Sequence, residues 1–219
     1  MTISQVRHRH PQQGEVDFTF MYAAHDAFNR DLQRLTAAVK GARAADPATR
    51  AGWATFKNQL HIHHTIEDEA LWPPLRQKLS RPADVAVLDA MEAEHARIDP
   101  LLSRVDASFA AGGAGLAENA HELALALQAH MENEEDQALP LVEKFLGSKG
   151  WAAFGDAIRE RQGLRGGAEF LPWMLDDAPD DISQRVLGAL PAPARLIYRA
   201  IWRPRYARTQ RWHTAEARR

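Results

Sequence analysis

Two pairs of side chains in this sequence combine an imidazole with a carboxylate at a spacing that suits metal binding. His63 and Glu67 are four residues apart, and so are His130 and Glu134. Four residues make slightly more than one helical turn, so on a helix both members of each pair lie on the same face. Each pair could therefore offer two ligands to one metal site.

An internal repeat places two further histidines in register with these pairs. The segment MYAAHDAFNRDLQRL aligns without gaps with MEAEHARIDPLLSRV, and this alignment pairs His25 with His95. The segment HHTIEDEALWPPL aligns with HMENEEDQALPLV, and this alignment pairs the two imidazole–carboxylate motifs. The aligned segments are residues 21–35 with 91–105 and residues 63–75 with 130–142. A duplicated pair of helices would bring all these side chains to one level of a helical core.

Six inward-facing polar side chains at one level favour a metal cluster. Burying them without partners would be costly, and a metal cluster would satisfy all of them together. The sequence has no cysteine, which excludes thiolate ligands, and imidazole with carboxylate suits iron, manganese or zinc. The candidate metal ligands are His25, His63, Glu67, His95, His130 and Glu134.

The elements that must position these residues are four helices. Residues 16–147 are rich in helix-forming residues and lack β-branched runs bounded by turn residues. Helix breaks are expected at Lys40-Gly41 with Asp46-Pro47, at Ser80-Arg81-Pro82, at Ala111-Gly112-Gly113 and near Gly147. Ser80 could cap the third helix, with Pro82 in its first turn. Four helices of roughly 25–30 residues with short connections predict an all-α fold, an up-down-up-down four-helix bundle.

The sequence outside the bundle has a different character. Residues 1–15 are predicted to be a flexible tail, and residues 148–219 a C-terminal extension of short helices with a glycine-rich break at 163–167. Residues 195–219 interleave arginines with aromatic residues. This stretch could bind anionic lipid or nucleic acid, but packing on the bundle, on a second subunit or on a partner protein is the preferred interpretation.

Composition sets broad limits on function. The 219 residues have a net charge of −2, so no global charge favours nucleic acid as a partner. Residues 1–18 lack the apolar region typical of a signal peptide, and no stretch approaches eighteen uncharged apolar residues. We therefore expect a soluble, cytoplasmic protein that binds no nucleic acid.

The four histidines and two glutamates carry a resemblance to a known family. Lone histidines on helices one and three and His-x-x-x-Glu motifs on helices two and four resemble the hemerythrin-like (HHE cation-binding) family, over residues 16–147. The resemblance implies two non-haem iron ions bridged by Glu67, Glu134 and an oxo or hydroxo group. It also implies that His25, His63, His95 and His130 are terminal ligands.

One departure from the family pattern bears on reactivity. Oxygen-carrying hemerythrins have a His-x-x-x-His motif on the third helix, whereas here Met91 and Asp99 stand four residues before and after His95. Thioether is a poor ligand for ferric iron, so we expect Met91 to pack in the core. Asp99 or Tyr22 could supply the missing ligand. Without a replacement, an additional open position would favour reaction with an oxidant over reversible oxygen carriage.

Neighbouring histidines and carboxylates are expected to have supporting roles. His61 and His121 should face solvent. His64, about 100° around the helix from His63, should support the ligands or contact a neighbouring helix, and a role as a ligand is the less favoured alternative. Asp68 and Glu135 should be solvated or accept an N–H from a ligand histidine. The prolines six residues after the two glutamates, at 73 and 140, should kink or end their helices.

Three hypotheses for function follow from the sequence. The first is a di-iron protein that binds and reacts with O2, hydrogen peroxide or nitric oxide, with catalase-like or oxidase activity left open. The second is an O2- or iron-responsive sensor or interaction module without turnover. The third is a di-iron oxygenase or oxidase acting on an organic substrate. Fold-level analogy does not choose among them.

Overall fold

The computed structural model describes residues 14–212, and within that range the chain forms helices and turns without a β-strand. The predicted N-terminal tail, apart from residues 14 and 15, and the last seven residues of the extension lie outside the described residues. The helices are α1 (Thr19–Lys40), α2 (Pro47–Ile66), α3 (Trp72–Arg76), α4 (Pro82–Ala110), α5 (Leu116–Asn133), α6 (Leu139–Phe145), α7 (Gly147–Met174), α8 (Asp180–Gly188), α9 (Ala192–Ile197) and α10 (Arg203–Arg208). Three π-helical turns link consecutive helices: π1 (Glu67–Leu71), π2 (Glu134–Ala138) and π3 (Tyr198–Trp202).

The helix breaks lie where the turn residues predict them. The first helical run ends at Lys40, and the second begins at Pro47, where the missing proline N–H costs no helical hydrogen bond. The third begins at Pro82, but its N-cap is Arg81 and no side chain caps it, so the predicted Ser80 cap is wrong. The fourth begins after Gly115, whose φ of 69° is a conformation that favours glycine.

The prolines that follow the two glutamates reshape their helices without ending them. In π1 the Trp72 N–H donates to the Glu67 carbonyl, and in π2 the Leu139 N–H donates to the Glu134 carbonyl, both over five residues instead of four. Proline follows at the next position in each case. The same arrangement recurs in π3, far along the chain, six residues before Pro204. Proline has no N–H to donate, and its ring crowds the preceding helical turn. We therefore attribute all three π-helical turns to the proline that follows each of them.

The bundle core consists of two apolar clusters with a polar level between them. Cluster A includes Met21, Ile66, Met91 and Ala138, and cluster B includes Phe28, Leu60, Ile98 and Leu127. The helices α1 and α4 run from cluster A to cluster B, whereas α2 and the α5–π2–α6 run proceed from cluster B to cluster A. All four helical runs therefore pass through the same polar level. Packing of α1 against α2 and α5, and of α4 against α5, holds this arrangement together.

The C-terminal extension begins with two helical segments that meet at the predicted glycine-rich break. The range given as α7 spans 28 residues, but Gly163 within it has non-helical backbone angles, with a φ of 57° and a ψ of −165°. The helical path is therefore interrupted at Gly163, inside the segment 163–167 where the sequence predicted a break. Helix α7 packs on α1, where the fully buried Trp173 donates its indole N–H to Asp31 over 2.8 Å.

The aromatic residues of the basic C-terminal stretch pack on the bundle of the same chain. Tyr198 and Trp212 are buried, while Arg199 and Arg203 are exposed. Trp212 fits against the bundle because residue 52 is glycine: a Cβ there would come within 2.3 Å of the indole ring. No described helix has the length and apolar character needed to cross a membrane.

Candidate metal centre

The six predicted ligand residues meet at the polar level between the two apolar clusters. His25 lies on α1, His63 on α2, His95 on α4 and His130 on α5, and Glu67 and Glu134 are the first residues of π1 and π2. The glutamate side chains are fully buried, and the most exposed of the six side chains, His63, is 12% exposed. We call His25 with His63 the first histidine pair, His95 with His130 the second histidine pair, and Glu67 with Glu134 the inner carboxylates.

The first histidine pair faces one oxygen from each inner carboxylate. The Nε2 atoms of His25 and His63 are 3.3 Å apart. The Nε2 atom of His25 lies 3.2 Å from Oε2 of Glu134, and that of His63 lies 3.0 Å from Oε1 of Glu67. Four potential ligand atoms thus converge from α1, α2, π1 and π2.

The second histidine pair faces the other oxygen of Glu67. The Nε2 atoms of His95 and His130 are 3.2 Å apart, and that of His95 lies 3.6 Å from Oε2 of Glu67. Ligand atoms of Glu67, His130 and Glu134 also lie within 4.8 Å of one another. Oε1 of Glu67 therefore faces the first histidine pair, and its Oε2 faces the second.

The inner carboxylates lack the partners that buried acids normally need. All four oxygens of Glu67 and Glu134 are buried, and none accepts a hydrogen bond from the part of the chain that the structure describes. Leaving buried acceptors unsatisfied costs about 1–3 kcal/mol each, and more for charged groups. Imidazole nitrogens lie close by, but not in hydrogen-bonding geometry. The donor set and its orphaned oxygens therefore fit metal ions held between the two histidine pairs.

Three further carboxylates accept hydrogen bonds from the Nδ1 atoms of ligand histidines, on the side of each ring away from the inner carboxylates. We call Asp68, Glu94 and Glu135 the outer carboxylates. His25 donates its Nδ1–H to Glu135 over 2.7 Å, and His95 donates to Asp68 over 2.9 Å. Since an ionised carboxylate can only accept, these bonds place a hydrogen on Nδ1 and make Nε2 the atom that can bind a metal once it carries no hydrogen. The contacts cross between the repeats: Asp68, next to Glu67, holds the lone histidine of the second half. This is one of the two roles predicted for Asp68 and Glu135.

The third outer carboxylate, Glu94, was not predicted from the sequence. His130 donates its Nδ1–H to Glu94 over 3.0 Å. The repeat gives no signal for this contact, because the residue aligned with Glu94 in the first half is Ala24. Its position immediately before His95 was the available clue. The two halves of the site are therefore similar but not equivalent.

The electrostatics of the inner residues place one proton on His25. Burial lowers its pKa, but the nearby carboxylates of Glu134 and Glu135 outweigh burial and raise that pKa to about 10. Burial raises the pKa of Glu134, but the charge of the adjacent His25 outweighs burial and lowers that pKa to about 2. Burial and the Glu134 charge raise the pKa of Glu67 well above its usual range.

Two further histidines at the site are held neutral by their surroundings. Burial, reinforced by the charge of His25, lowers the pKa of His63 to about 3. Burial, reinforced by the charge of His95, lowers the pKa of His64 well below its usual range. A neutral imidazole is the form that binds a metal.

Other residues considered from the sequence occupy varied environments. Met91 is fully buried in cluster A, as expected for a packing residue. Asp99 is exposed, so the expectation that its carboxylate could reach the buried site is wrong. Tyr22 is half-buried with its ring edge-on to Phe18 at 6.4 Å, and its role as a ligand stays a prediction. His61 and His121 are exposed, as predicted.

Comparison with known proteins agrees with this site. A family model described as the hemerythrin HHE cation-binding domain matches residues 16–142, which contain all six side chains. Comparisons with curated proteins and with solved structures gave no match.

Proposed function

Because the chain belongs to the hemerythrin HHE cation-binding domain family, we propose that its polar level holds two non-haem iron ions. The observation that carries this proposal is the set of four buried, unpartnered oxygens on the inner carboxylates, flanked by two histidine pairs. Glu67 and Glu134 would hold both ions between them, and each histidine pair would supply two terminal ligands. Imidazole and carboxylate without thiolate suit iron.

The bundle topology that we propose for this site is up-down-up-down. The opposite order of clusters A and B along successive helical runs supports it, because adjacent runs pass through the core in opposite senses. We take residues 16–147 as the metal-binding unit and residues 148–219 as an extension that packs on it.

The protein's own residues prepare the site for reaction with a small oxidant. When bound, a pair of irons supplies two electrons to one oxidant molecule, which a single ferrous ion cannot do. Asp68 and Glu135 keep the imidazoles oriented, and clusters A and B exclude bulk water from both ends. His63, at 12%, is the most exposed of the six side chains, and we propose that a small oxidant approaches from its side. We therefore propose reaction with O2, hydrogen peroxide or nitric oxide as the function.

This function is tested with iron-loaded full-length protein. Mixing the diferrous protein with O2, and the diferric protein with hydrogen peroxide, should give spectral changes and oxidant consumption faster than for free iron at equal concentration. The variant Glu134→Ala should lose the effect, whereas His121→Ala, which changes an exposed histidine, should keep it. Equal rates for wild-type protein and free iron would contradict the proposal.

One contact favours a sensor as the second candidate. Arg161 on α7 forms an ion pair with Glu69, which belongs to the same π-helical turn as Glu67. A change in metal state could therefore reach the extension through π1. If the protein is a sensor, iron loading should change hydrogen–deuterium exchange of α7 in the wild type, and Arg161→Ala should weaken the change. Unchanged exchange in α7 would leave the first function as the better account.

A further inference from the structure

A fifth histidine, His64, is inserted against the second histidine pair. It is buried, and its Nε2 accepts and donates no hydrogen bond among residues 14–212. Its ring stacks on that of His95, with centroids 3.9 Å apart and an angle of 12° between the planes. It also meets the ring of His130 edge-on at 5.1 Å. Packing in a purely apolar environment would not explain an imidazole at this position.

The ring nitrogens of these three histidines form a compact group. One from each of His64, His95 and His130 lies within 4.8 Å of the others. Two nitrogens bound to one metal at about 2.1 Å can be separated by at most about 4.2 Å. The three nitrogens are therefore near the separation that one ion requires. Because an imidazole binds a metal in the plane of its ring, the His64 ring must also turn out of its parallel stack on His95 to reach the same ion.

The internal repeat shows that this position distinguishes the two halves of the site. His64 aligns with Met131, which is buried in cluster B. Glu94, which orients His130, aligns with Ala24. Both of these residues thus contact the second histidine pair. His64 lies farther from the first pair, with its ring centroid 5.9 Å from that of its chain neighbour His63.

We propose that His64 is a third histidine ligand of the metal held by the second histidine pair. This inference rests on the proposed function, because it assumes that the site holds two ions. The metal at the second pair then has five protein ligands, three histidines and the two inner carboxylates. The metal at the first pair has four. Exchangeable coordination is therefore concentrated at the first pair, beside the partly exposed His63.

The test uses full-length, iron-loaded protein and the variant His64→Met, which gives position 64 the residue found at the aligned position 131. The matched control is His121→Met, because His121 is exposed. Iron content, Mössbauer spectra and titration with azide are measured on all three proteins in the diferric state. Azide is a small anion that occupies exchangeable iron positions.

The wild type and the control should show two quadrupole doublets of equal area and bind one azide per pair of irons. In His64→Met the two doublets should converge, a second azide should bind, and one iron should be held at least tenfold more weakly. Wild-type spectra and azide stoichiometry retained in His64→Met would overturn the proposal and leave His64 as a stacking neighbour of His95.

Two further outcomes distinguish a failure of the proposed His64 ligand from a failure of the di-iron site itself. A single doublet in the wild type would overturn the role of His64 without any variant, including the case in which His64→Met does not fold. Fewer than two irons per chain in wild type and control alike would instead contradict the di-iron site itself, and this inference with it.

Discussion

Loading the site with metal at neutral pH should displace protons, and His25 sets the size of the effect. In the metal-free protein its pKa is raised to about 10 by Glu134 and Glu135 despite burial, so at pH 7 its Nε2 carries a hydrogen. That Nε2 is the atom that faces Glu134 at 3.2 Å and His63 at 3.3 Å. A metal can bind there only after the proton leaves.

The loss of apparent metal affinity follows from the difference between the pKa of His25 and the pH. A pKa about three units above pH 7 weakens apparent metal affinity about 10³-fold, or about 4 kcal/mol at 1.36 kcal/mol per unit. The sign is fixed because the proton is bound only in the metal-free state, so affinity falls as pH falls and rises until pH approaches 10. Glu67, whose pKa is also raised, adds a second proton while the pH lies below its pKa. With both groups protonated, affinity should rise about hundredfold per pH unit.

The assay is an anaerobic titration with ferrous iron at several pH values between 7 and 8.5. The logarithm of the apparent association constant should rise with a slope of one to two. His121→Gln should give the same slope, and Glu135→Gln should move the upper end of the pH dependence to lower pH. A slope below about 0.5, or a His25 imidazole that titrates near pH 6.5 in nitrogen NMR spectra of metal-free protein, would refute this reasoning.

Three other predictions concern the residues around the site. Asp68→Asn, which weakens the hold on His95, should lower iron affinity about 10- to 100-fold in equilibrium dialysis, and an unchanged affinity would argue against an orienting role. Removing the metal should lower the melting temperature, since a ligand at 100 times its Kd stabilises the fold by about 2.7 kcal/mol; equal melting of both forms at pH 7.5 would contradict a buried site. Trp173→Ala should destabilise the protein by about 3–5 kcal/mol in urea unfolding, because it empties a fully buried position and leaves Asp31 without its indole partner. A loss below 1 kcal/mol would mean that α7 contributes little to the bundle.

The repeat and the residue spacing predicted the convergence of the six side chains because both are properties of helices. A histidine and a glutamate four residues apart must share a helix face, and equivalent positions in two repeats must reach equivalent depths. The turn residues likewise predicted the helix ends at Lys40, Pro47 and Pro82. These features depend on local chain geometry, which the sequence specifies directly.

What the sequence did not predict depends on contacts between helices. The sequence predicted that the helices kink or end at Pro73 and Pro140. It did not predict that each helix continues through a π-helical turn, in which an N–H donates to the carbonyl five residues earlier. The contacts of Glu94 with His130 and of His64 with His95 depend on how α2, α4 and α5 are rotated about their axes. If either helix were rotated about its axis by one residue, about 100°, the side chain of Glu94 or His64 would no longer face its histidine partner.

The central claim is that Glu67 and Glu134 bridge two irons at the buried polar level. The most direct measurement is iron content per chain, with the near-ultraviolet spectrum of the oxidised protein, for wild type, Glu67→Ala and Glu134→Ala. We predict two irons per chain and the absorption of a bridged diferric pair in the wild type, with one iron or none and no such absorption in either variant. Full iron content and an unchanged spectrum in both variants would contradict the account.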